Sequence, residues 1–396
     1  MPTTIIRNVA LIRPDGLAPN RSVRLEDGKI KDIGLASGVD WDRADKEVDG
    51  QGMYLAPGFI DLHIHGVHRW GMDNGPADFA AICETLPQYG VTGFLPTLAP
   101  RRPGDDSEYL ATLAQTETHG TLNLGFHLEG PFLTLTGALP PEALGSADPN
   151  RVRDLIKAAR PHRAVFSISP DFENIRELIP IMLEDGAVFI THTAADVEQT
   201  QMAIEAGARH ATHFCNVFAV PPEPEPGVRP CGALEAILAD PRVSVDFILD
   251  GEHVPMVAVQ LALRCKSVEG VSLITDANVG AGLPPGRYHG IGREVVFAYE
   301  GGPARIADGS NEDGLLAGSG LTMDRAVRNA VDMLGMNLCG AITMASTSPA
   351  HVLGLGDRKG QVRVGFDADL VLLDRELKVR QTWVAGESVY TRQEPA

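Results

Sequence analysis

The amino-acid sequence predicts an α/β fold, a (β/α)8 TIM barrel with a small β-sandwich domain formed by both chain ends. Eight short apolar runs occur through the middle of the chain, and plausible helices separate most of them. Before that span, residues 22–33 look like a hairpin. Continuous apolar strands between helices are typical of a parallel sheet covered by helices. An open, doubly wound sheet is the alternative, and eight strands favour closure into a barrel.

The length of the chain fits a barrel with one accessory domain. A barrel of this type uses about 250 residues, whereas the chain has 396. We assign residues 55–356 to the barrel, and residues 1–54 together with 357–396 to the small domain. The predicted strands of the barrel are residues 55–65, 91–98, 123–129, 164–170, 187–192, 211–216, 243–250 and 271–276.

Three helices and two long loops are also predicted. The helices span residues 173–184, 195–206 and 323–334, and Pro180 should kink or shorten the first. Residues 221–230 and 279–302 show no regular pattern. Because they follow the sixth and eighth strands, we expect both to overhang the barrel mouth.

Composition excludes several classes of partner. The formal net charge is −18 and no basic cluster is present, which argues against nucleic acid and acidic membranes. No apolar run approaches the roughly 20 residues that cross a bilayer, and the N-terminus lacks a secretion-signal layout. The five cysteines form no CxxC pair, which argues against a disulfide framework. We therefore expect a cytoplasmic protein with a small-molecule substrate.

Histidines and carboxylates fall at the ends of the predicted strands. Barrel enzymes place their chemistry at the C-terminal ends of the strands, so these side chains should meet at one rim. In residues 63–65 the alternate spacing points both imidazoles to one face. Burying an unpaired carboxylate in an apolar strand costs on the order of several kcal/mol. A metal or another cation is therefore expected beside it. The candidates are His63, His65, Glu129, His192, His213 and Asp276.

This set of side chains predicts metal-dependent hydrolysis. Imidazole nitrogens and carboxylate oxygens without thiolate suit zinc and leave positions open for water and substrate. Such a metal lowers the pKa of bound water to about 7 and polarises a carbonyl. Asp276 is suited to take the proton from the water and pass it to a leaving nitrogen. A hydrolase of amide or related bonds is the expected class.

Several longer motifs support this expectation. Residues 57–66 read PGFIDLHIHG, and residues 127–132 read HLEGPF, the most specific of them. Further matching segments are 93–97 (GFLPT), 206–216, 250–253 (DGEH), 275–277 (TDA), 316–319 (LAGS) and 360–371. Together they make nearly the whole chain similar to the amidohydrolase superfamily, and within it to the N-acetylglucosamine-6-phosphate deacetylases.

The resemblance implies roles for individual residues. Glu129, His192 and His213 would hold the main metal, and Asp276 would be the catalytic acid and base. The remaining two histidines, residues 63 and 65, would permit a second metal, so one or two zinc ions are expected. Asn216, the backbone near Val217 and His253 would contact the sugar phosphate. The other substrate-binding residues are Ala138, Leu316, Ala317 and Gly318. A homodimer is expected by analogy alone.

The substrate pocket departs from the family pattern. The family usually carries a phosphate-binding arginine just before Glu-Pro-Gly in the loop after the sixth strand, and here Pro224 stands there. Losing such a charge-assisted contact costs about 1.5–3 kcal/mol. Arg229 lies close by and is the candidate replacement. Leu139 stands where a histidine is usual, and Asp196 adds a negative charge.

Three functions therefore remain open. The first is deacetylation of an N-acetylated amino sugar, with or without a phosphate. The second is hydrolysis of a different, non-phosphorylated N-acyl or cyclic amide at the same site. The third is a non-catalytic barrel that serves as a scaffold, which usually shows as missing ligands, and none is missing here.

Overall fold

A computed structural model describes residues 3–35 and 44–393. Its centre is a barrel of eight parallel strands, which confirms the predicted fold class. Each strand pairs with the next, and β8 meets β1 through the Asp276 amide, which donates to the His63 carbonyl at 2.8 Å. The strands are β1 (Phe59–Ile64), β2 (Val91–Leu98), β3 (Phe126–Phe132), β4 (Ala164–Ile168), β5 (Val188–Ile190), β6 (His210–Ala211), β7 (Ser244–Ile248) and β8 (Val271–Ile274). A two-residue strand, Leu122–Asn123, also pairs with β2.

Helices cover the outside of the barrel and share one hydrophobic core with its strands. Pro180 lies inside a helix of eight residues, shorter than predicted. None of the described helices combines the length and the apolar character that crossing a membrane requires. The α-helices are Pro76–Thr85, Asp105–Ala114, Pro149–Ala158, Ile175–Met182, Val197–Ala206, Ala233–Ala239, Met256–Lys266, Met323–Leu334, Leu338–Ile342 and Ser348–Val352. Short 3-10 turns are Met72–Asn74, Leu86–Tyr89 and Pro141–Leu144, and a π turn spans Thr343–Thr347.

Several strand boundaries differ from the prediction, and the strand predicted over residues 211–216 is only the two-residue strand β6. The first predicted strand is in fact two, because Tyr54–Pro57 belongs to a different sheet from β1. Gly58 separates them, and a Cβ there would lie 2.2 Å from Thr92 Cγ2, so only glycine fits this approach. In addition, β3 begins at Phe126 and continues past Glu129 to Phe132, whereas the predicted strand spanned residues 123–129.

The two chain ends form one hydrogen-bonded sheet beside the barrel. Its strands are Thr4–Arg13, Gly16–Glu26, Lys29–Leu35, Lys46–Asp49, Tyr54–Pro57, Leu370–Leu373, Val379–Val384 and Glu387–Thr391. This sheet has its own core, in which Trp383 is the largest fully buried side chain. The division of the chain at residues 54 and 356 stays a prediction, and residues 1–2, 36–43 and 394–396 of the end domain lie outside the described residues.

The segment after β8 was predicted to be irregular, and that prediction was wrong. Residues 286–319 form a four-stranded antiparallel sheet with a small core of its own. We call it the insertion sheet. Its strands are Gly286–Gly290, Arg293–Phe297, Pro303–Ile306 and Leu316–Ser319. A two-residue turn, Ile291 and Gly292, joins the first two strands, and both residues have positive φ, as hairpin turns of this length favour. Residues 221–230 do form a loop, as predicted.

Candidate active site

The six candidate ligand residues converge at the C-terminal rim of the barrel. Strands β5, β6 and β8 end two residues before His192, His213 and Asp276 respectively. These three residues adopt left-handed backbone conformations, with φ of 47°, 32° and 45°. Such conformations cost non-glycine residues about 1–3 kcal/mol and cluster at functional sites. The backbone therefore turns sharply at the position where each side chain enters the site.

Glu129 lies at the centre of this group. Its Oε1 is 2.9 Å from His213 Nε2 and 3.3 Å from His192 Nε2. Its Oε2 is 3.1 Å from His65 Nε2 and 3.4 Å from His63 Nε2. One carboxylate thus joins two pairs of imidazoles. All five side chains are buried.

The electrostatics of the site depend on this carboxylate. Burial alone would raise the pKa of Glu129, but the rings of His63, His192 and His213 hold it well below its ordinary value. Burial alone would lower the pKa of His213, but the hydrogen bond and charge of Glu129 raise it to about 9. The pKa of His65 is raised for the same reason, whereas burial lowers that of His192. The carboxylate is therefore the charged partner around which the ring nitrogens gather.

The donor atoms fit a divalent metal. His63 Nε2 and His65 Nε2 are 3.1 Å apart, and both face the same oxygen of Glu129. Two ring nitrogens at that distance cannot both carry a proton, so at least one of them presents a lone pair. A cation between them would accept the lone pairs of both rings. Two triads have ligand atoms that all lie within 4.8 Å of one another. These are His63, His65 and Glu129, and Glu129, His192 and His213.

Hydrogen bonds from the surrounding barrel orient several of these rings. His192 Nδ1 donates to the carbonyl of Leu135 at 3.0 Å, which directs Nε2 toward Glu129. His63 Nδ1 is 3.0 Å from the Thr212 hydroxyl. Such outer contacts fix the tautomer and the direction of metal-binding histidines. The sequence interpretation did not include them, because the partners are backbone groups and hydroxyls without a motif of their own.

Asp276 lies beside the first histidine pair. Its Oδ1 is 3.6 Å from His63 Nε2 and 3.5 Å from His65 Nε2. Its side chain is 12% exposed, more than that of any of the five ligand-type side chains. The carboxylate therefore stands where the buried group of ligand atoms opens toward the pocket.

A pocket opens above this group. Ligand-type residues and most of the predicted substrate contacts line it. Those predicted contacts are Ala138, Asn216, Val217, His253, Leu316, Ala317 and Gly318. His253 Nδ1 lies 2.6 Å from Asp250 Oδ2, which leaves Nε2 for other contacts. The prediction missed Ile291 as a lining residue and noted Leu139 only as a departure from a pattern.

Two residues that the sequence pointed to, Arg229 and Asp196, do not line the pocket. Arg229 is not among the lining residues: its side chain is 76% exposed, and its guanidinium pairs with Glu235 at 2.8 Å. The structure thus gives no support to its predicted contact with substrate, because the exposed loop carries it to the surface. Asp196 does not line the pocket either. Its carboxylate accepts from the Gln199 amide and caps the helix Val197–Ala206.

Known proteins share this architecture and sequence. Residues 290–389 match the model of the Amidohydrolase family. The chain is 33% identical to an N-acetylgalactosamine-6-phosphate deacetylase of Escherichia coli O157:H7, over 97% of this chain and 99% of that protein. It is 32% identical to an N-acetylglucosamine-6-phosphate deacetylase of Lysinibacillus sphaericus, over 96% of each.

Solved structures agree. N-acetylglucosamine-6-phosphate deacetylase from Pasteurella multocida superposes with a TM-score of 0.86 at 25% identity, covering 98% of this chain and 100% of that one. The enzyme from Mycobacterium smegmatis gives a TM-score of 0.84 at 28% identity, with coverage of 98% and 100%. These similarities make the protein a metal-dependent hydrolase that acts on amide bonds. The chain belongs to the amidohydrolase superfamily and, within it, to the family of the N-acetylglucosamine-6-phosphate deacetylases.

Proposed function

We propose that this protein removes the acetyl group from an N-acetylated amino sugar, using a metal-activated water and Asp276 as general acid and base. The observation that carries the proposal is the position of Glu129 at the base of an open pocket. Each of its two carboxylate oxygens lies beside one pair of histidine nitrogens. The names of the relatives supply the substrate class, since those proteins deacetylate phosphorylated N-acetylhexosamines.

We propose that Glu129, His192 and His213 hold the main ion, and that His63 and His65 permit a second ion. Zinc suits this nitrogen and oxygen donor set, which contains no thiolate. The ion, when bound, lowers the pKa of a water and polarises the acyl oxygen. The resemblance to known family members and the two triads that share one carboxylate both support this assignment.

Asp276 is proposed to move the proton. As a carboxylate at the edge of the ligand group, it can accept a proton from water that enters from the pocket. It can then donate that proton to the nitrogen that leaves as the amine, which otherwise would depart as an unstable anion. Asn216, His253 and the backbone near Val217 line the same pocket and are proposed to bind the sugar. The five cysteines, all unpaired, suit a reducing compartment, and we place the protein in the cytoplasm.

Acetate release by the zinc-loaded protein tests the proposal. We expect turnover of N-acetylglucosamine or its 6-phosphate, and a fall of about 10²–10⁴-fold in Asp276→Asn, the usual contribution of a general acid and base. Asp196→Asn is the matched control, because it removes the same charge outside the pocket and asparagine also caps helices. Zinc content is measured for all three proteins. Full activity in Asp276→Asn, or stoichiometric zinc without turnover of either sugar, would contradict the proposal.

A further inference from the structure

We propose that the substrate presents an uncharged group, and not a phosphate, to the outer part of the pocket. This inference rests on the proposed function, because it names the substrate class of the same site. The outer part is formed by residues 138–139 and by the insertion sheet, whose contributions are Ile291, Leu316 and Ala317. Ala138 packs against the core of that sheet, so the two segments form one continuous surface.

The first observation concerns charge. None of the fourteen described residues that line the pocket is a lysine or an arginine. Four are histidines, and three of these belong to the ligand group, which leaves His253 as the one basic side chain beyond it. A phosphate monoester carries about −1.5 to −2 charges at neutral pH. The charge of Glu129 would be offset by the ion that it holds, so the carboxylate that such a group would meet is Asp276, in a protein whose net charge is −18.

The second observation concerns two arginines, one in the loop after β6 and one on the insertion sheet. Arg229 is held at the surface by Glu235, and the loop that carries it also presents exposed Glu223 and Glu225. Arg305 lies on the insertion sheet, where its Nη1 donates to the carbonyl of Gly314 at 3.0 Å. Its Nη2 also lies 3.7 Å from Glu252. Each of these guanidiniums therefore already has an acidic partner, and neither lines the pocket.

The third observation is the apolar character of the outer pocket. Leu139, Ile291 and Leu316 all line it. Ile291 has a φ of 51°, a conformation that a β-branched residue rarely adopts. The two-residue hairpin turn requires this conformation, and Ile291 stands there in place of the glycine or asparagine that such turns favour. An unpaired charge against three such side chains would lose its hydration without compensation, whereas a hydroxyl, methylene or acyl group would not.

Binding to the zinc-loaded Asp276→Asn protein tests this inference apart from catalysis. Calorimetric titration compares N-acetylglucosamine with its 6-phosphate. We expect the 6-phosphate to bind at least 10-fold more weakly. Equal or tighter binding of the 6-phosphate, or no binding of the unphosphorylated sugar, overturns the inference. Glucosamine and glucosamine 6-phosphate, titrated into the wild-type protein, repeat the comparison should the variant fold poorly.

Two variants test the assigned surface. Leu139→His adds a cation-forming group to the pocket, and we expect it to strengthen binding of the 6-phosphate about 10-fold at pH 6. Leu144→His is the matched control, because Leu144 is 46% exposed and does not line the pocket. Arg305→Ala should leave the ratio of the two affinities unchanged. A selective 10-fold loss of 6-phosphate binding in Arg305→Ala, or no gain in Leu139→His, overturns the inference.

The two proposals fail in different ways. Acetate release from the 6-phosphate in preference to the unphosphorylated sugar overturns the inference and leaves the deacetylase function standing. Tight binding of the unphosphorylated sugar without acetate release, in a protein that holds zinc, overturns the function and leaves the pocket chemistry standing.

Discussion

A buried carboxylate behind the candidate metal site offers a sharp test of how the barrel holds its ligands. Asp246, on β7, is fully buried. Its Oδ1 accepts a hydrogen bond from the backbone amide of His213, and its Oδ2 lies 2.8 Å from His210 Nε2. His213 has left-handed backbone with a φ of 32°, so this amide would not hold its direction without a partner. We call Asp246 a positioning residue, because it acts through His213.

The expected magnitude follows from these two contacts. A hydrogen bond to a charged acceptor contributes about 1.5–3 kcal/mol. Asn in place of Asp keeps one acceptor oxygen but loses the charge, so Asp246→Asn should lower the free energy of unfolding by about 2 kcal/mol. If the same energy holds the His213 ring for the metal, zinc affinity should fall about 30-fold, since 1.4 kcal/mol corresponds to a factor of ten. That falls within the 10–100-fold range of outer-shell substitutions at metal sites.

Two measurements on the same protein separate a positioning role from a structural one. Zinc affinity comes from competition with a chelator, and stability comes from urea unfolding of the metal-free protein. Asp185→Asn is the control, because Asp185 is 3% exposed and accepts from the Ala164 amide at 2.7 Å, at the opposite end of β4. It should lose stability without losing zinc affinity. A destabilised Asp246→Asn protein that binds zinc as tightly as wild type would refute the reasoning.

Three further substitutions test other parts of the structure. Lys359→Met should cost about 3–5 kcal/mol in urea unfolding, because it leaves the buried carboxylate of Asp369 without its cation, whereas Lys378→Met, at an exposed pair, should cost at most about 1 kcal/mol. Gly58→Ala should cost about 1–3 kcal/mol in the same assay, since its Cβ would overlap Thr92; an unchanged midpoint would contradict this close packing. Ile291→Asn should raise the free energy of unfolding by about 1 kcal/mol, because asparagine tolerates left-handed backbone, and it should lower kcat/KM for acetate release. An unchanged kcat/KM would show that isoleucine at this position does not contribute to activity.

The barrel could be predicted from sequence because most of its strands lie in short, largely apolar runs. The pattern was less informative about where strands end. Residues 211–216 look like a strand, yet β6 stops at Ala211 and His213 turns into the site with positive φ. The Phe214 amide bonds the carbonyl of Asp246, so tertiary contacts, which no local pattern records, fix this turn. The division of the first predicted strand at Gly58 could not be predicted either, because it depends on the close approach of Thr92 from a different strand.

The insertion sheet was missed although a local signal existed. Residues 290–292 read Gly-Ile-Gly, and residues 295–297 (VVF) after them are β-branched and aromatic, as in a short strand that follows a turn. Two prolines and several glycines before it, in residues 280–286, favoured an irregular loop instead. Because this hairpin was not predicted, Ile291, which lies in its turn and lines the pocket, was not predicted as a pocket residue.

Metal ligands and substrate contacts differ in how far sequence reveals them. The proposed ligands lie in barrel strands or just after them, so the rigid core of the sheet fixes their positions and leaves recognisable spacing such as His-Ile-His at residues 63–65. The outer pocket is built from loops and a separate sheet, where one position can change from polar to apolar without disturbing the barrel. The same scaffold can therefore keep its hydrolytic site while it exchanges a phosphate contact for an apolar one. Leu139 and Ile291 are where we infer that this exchange has occurred.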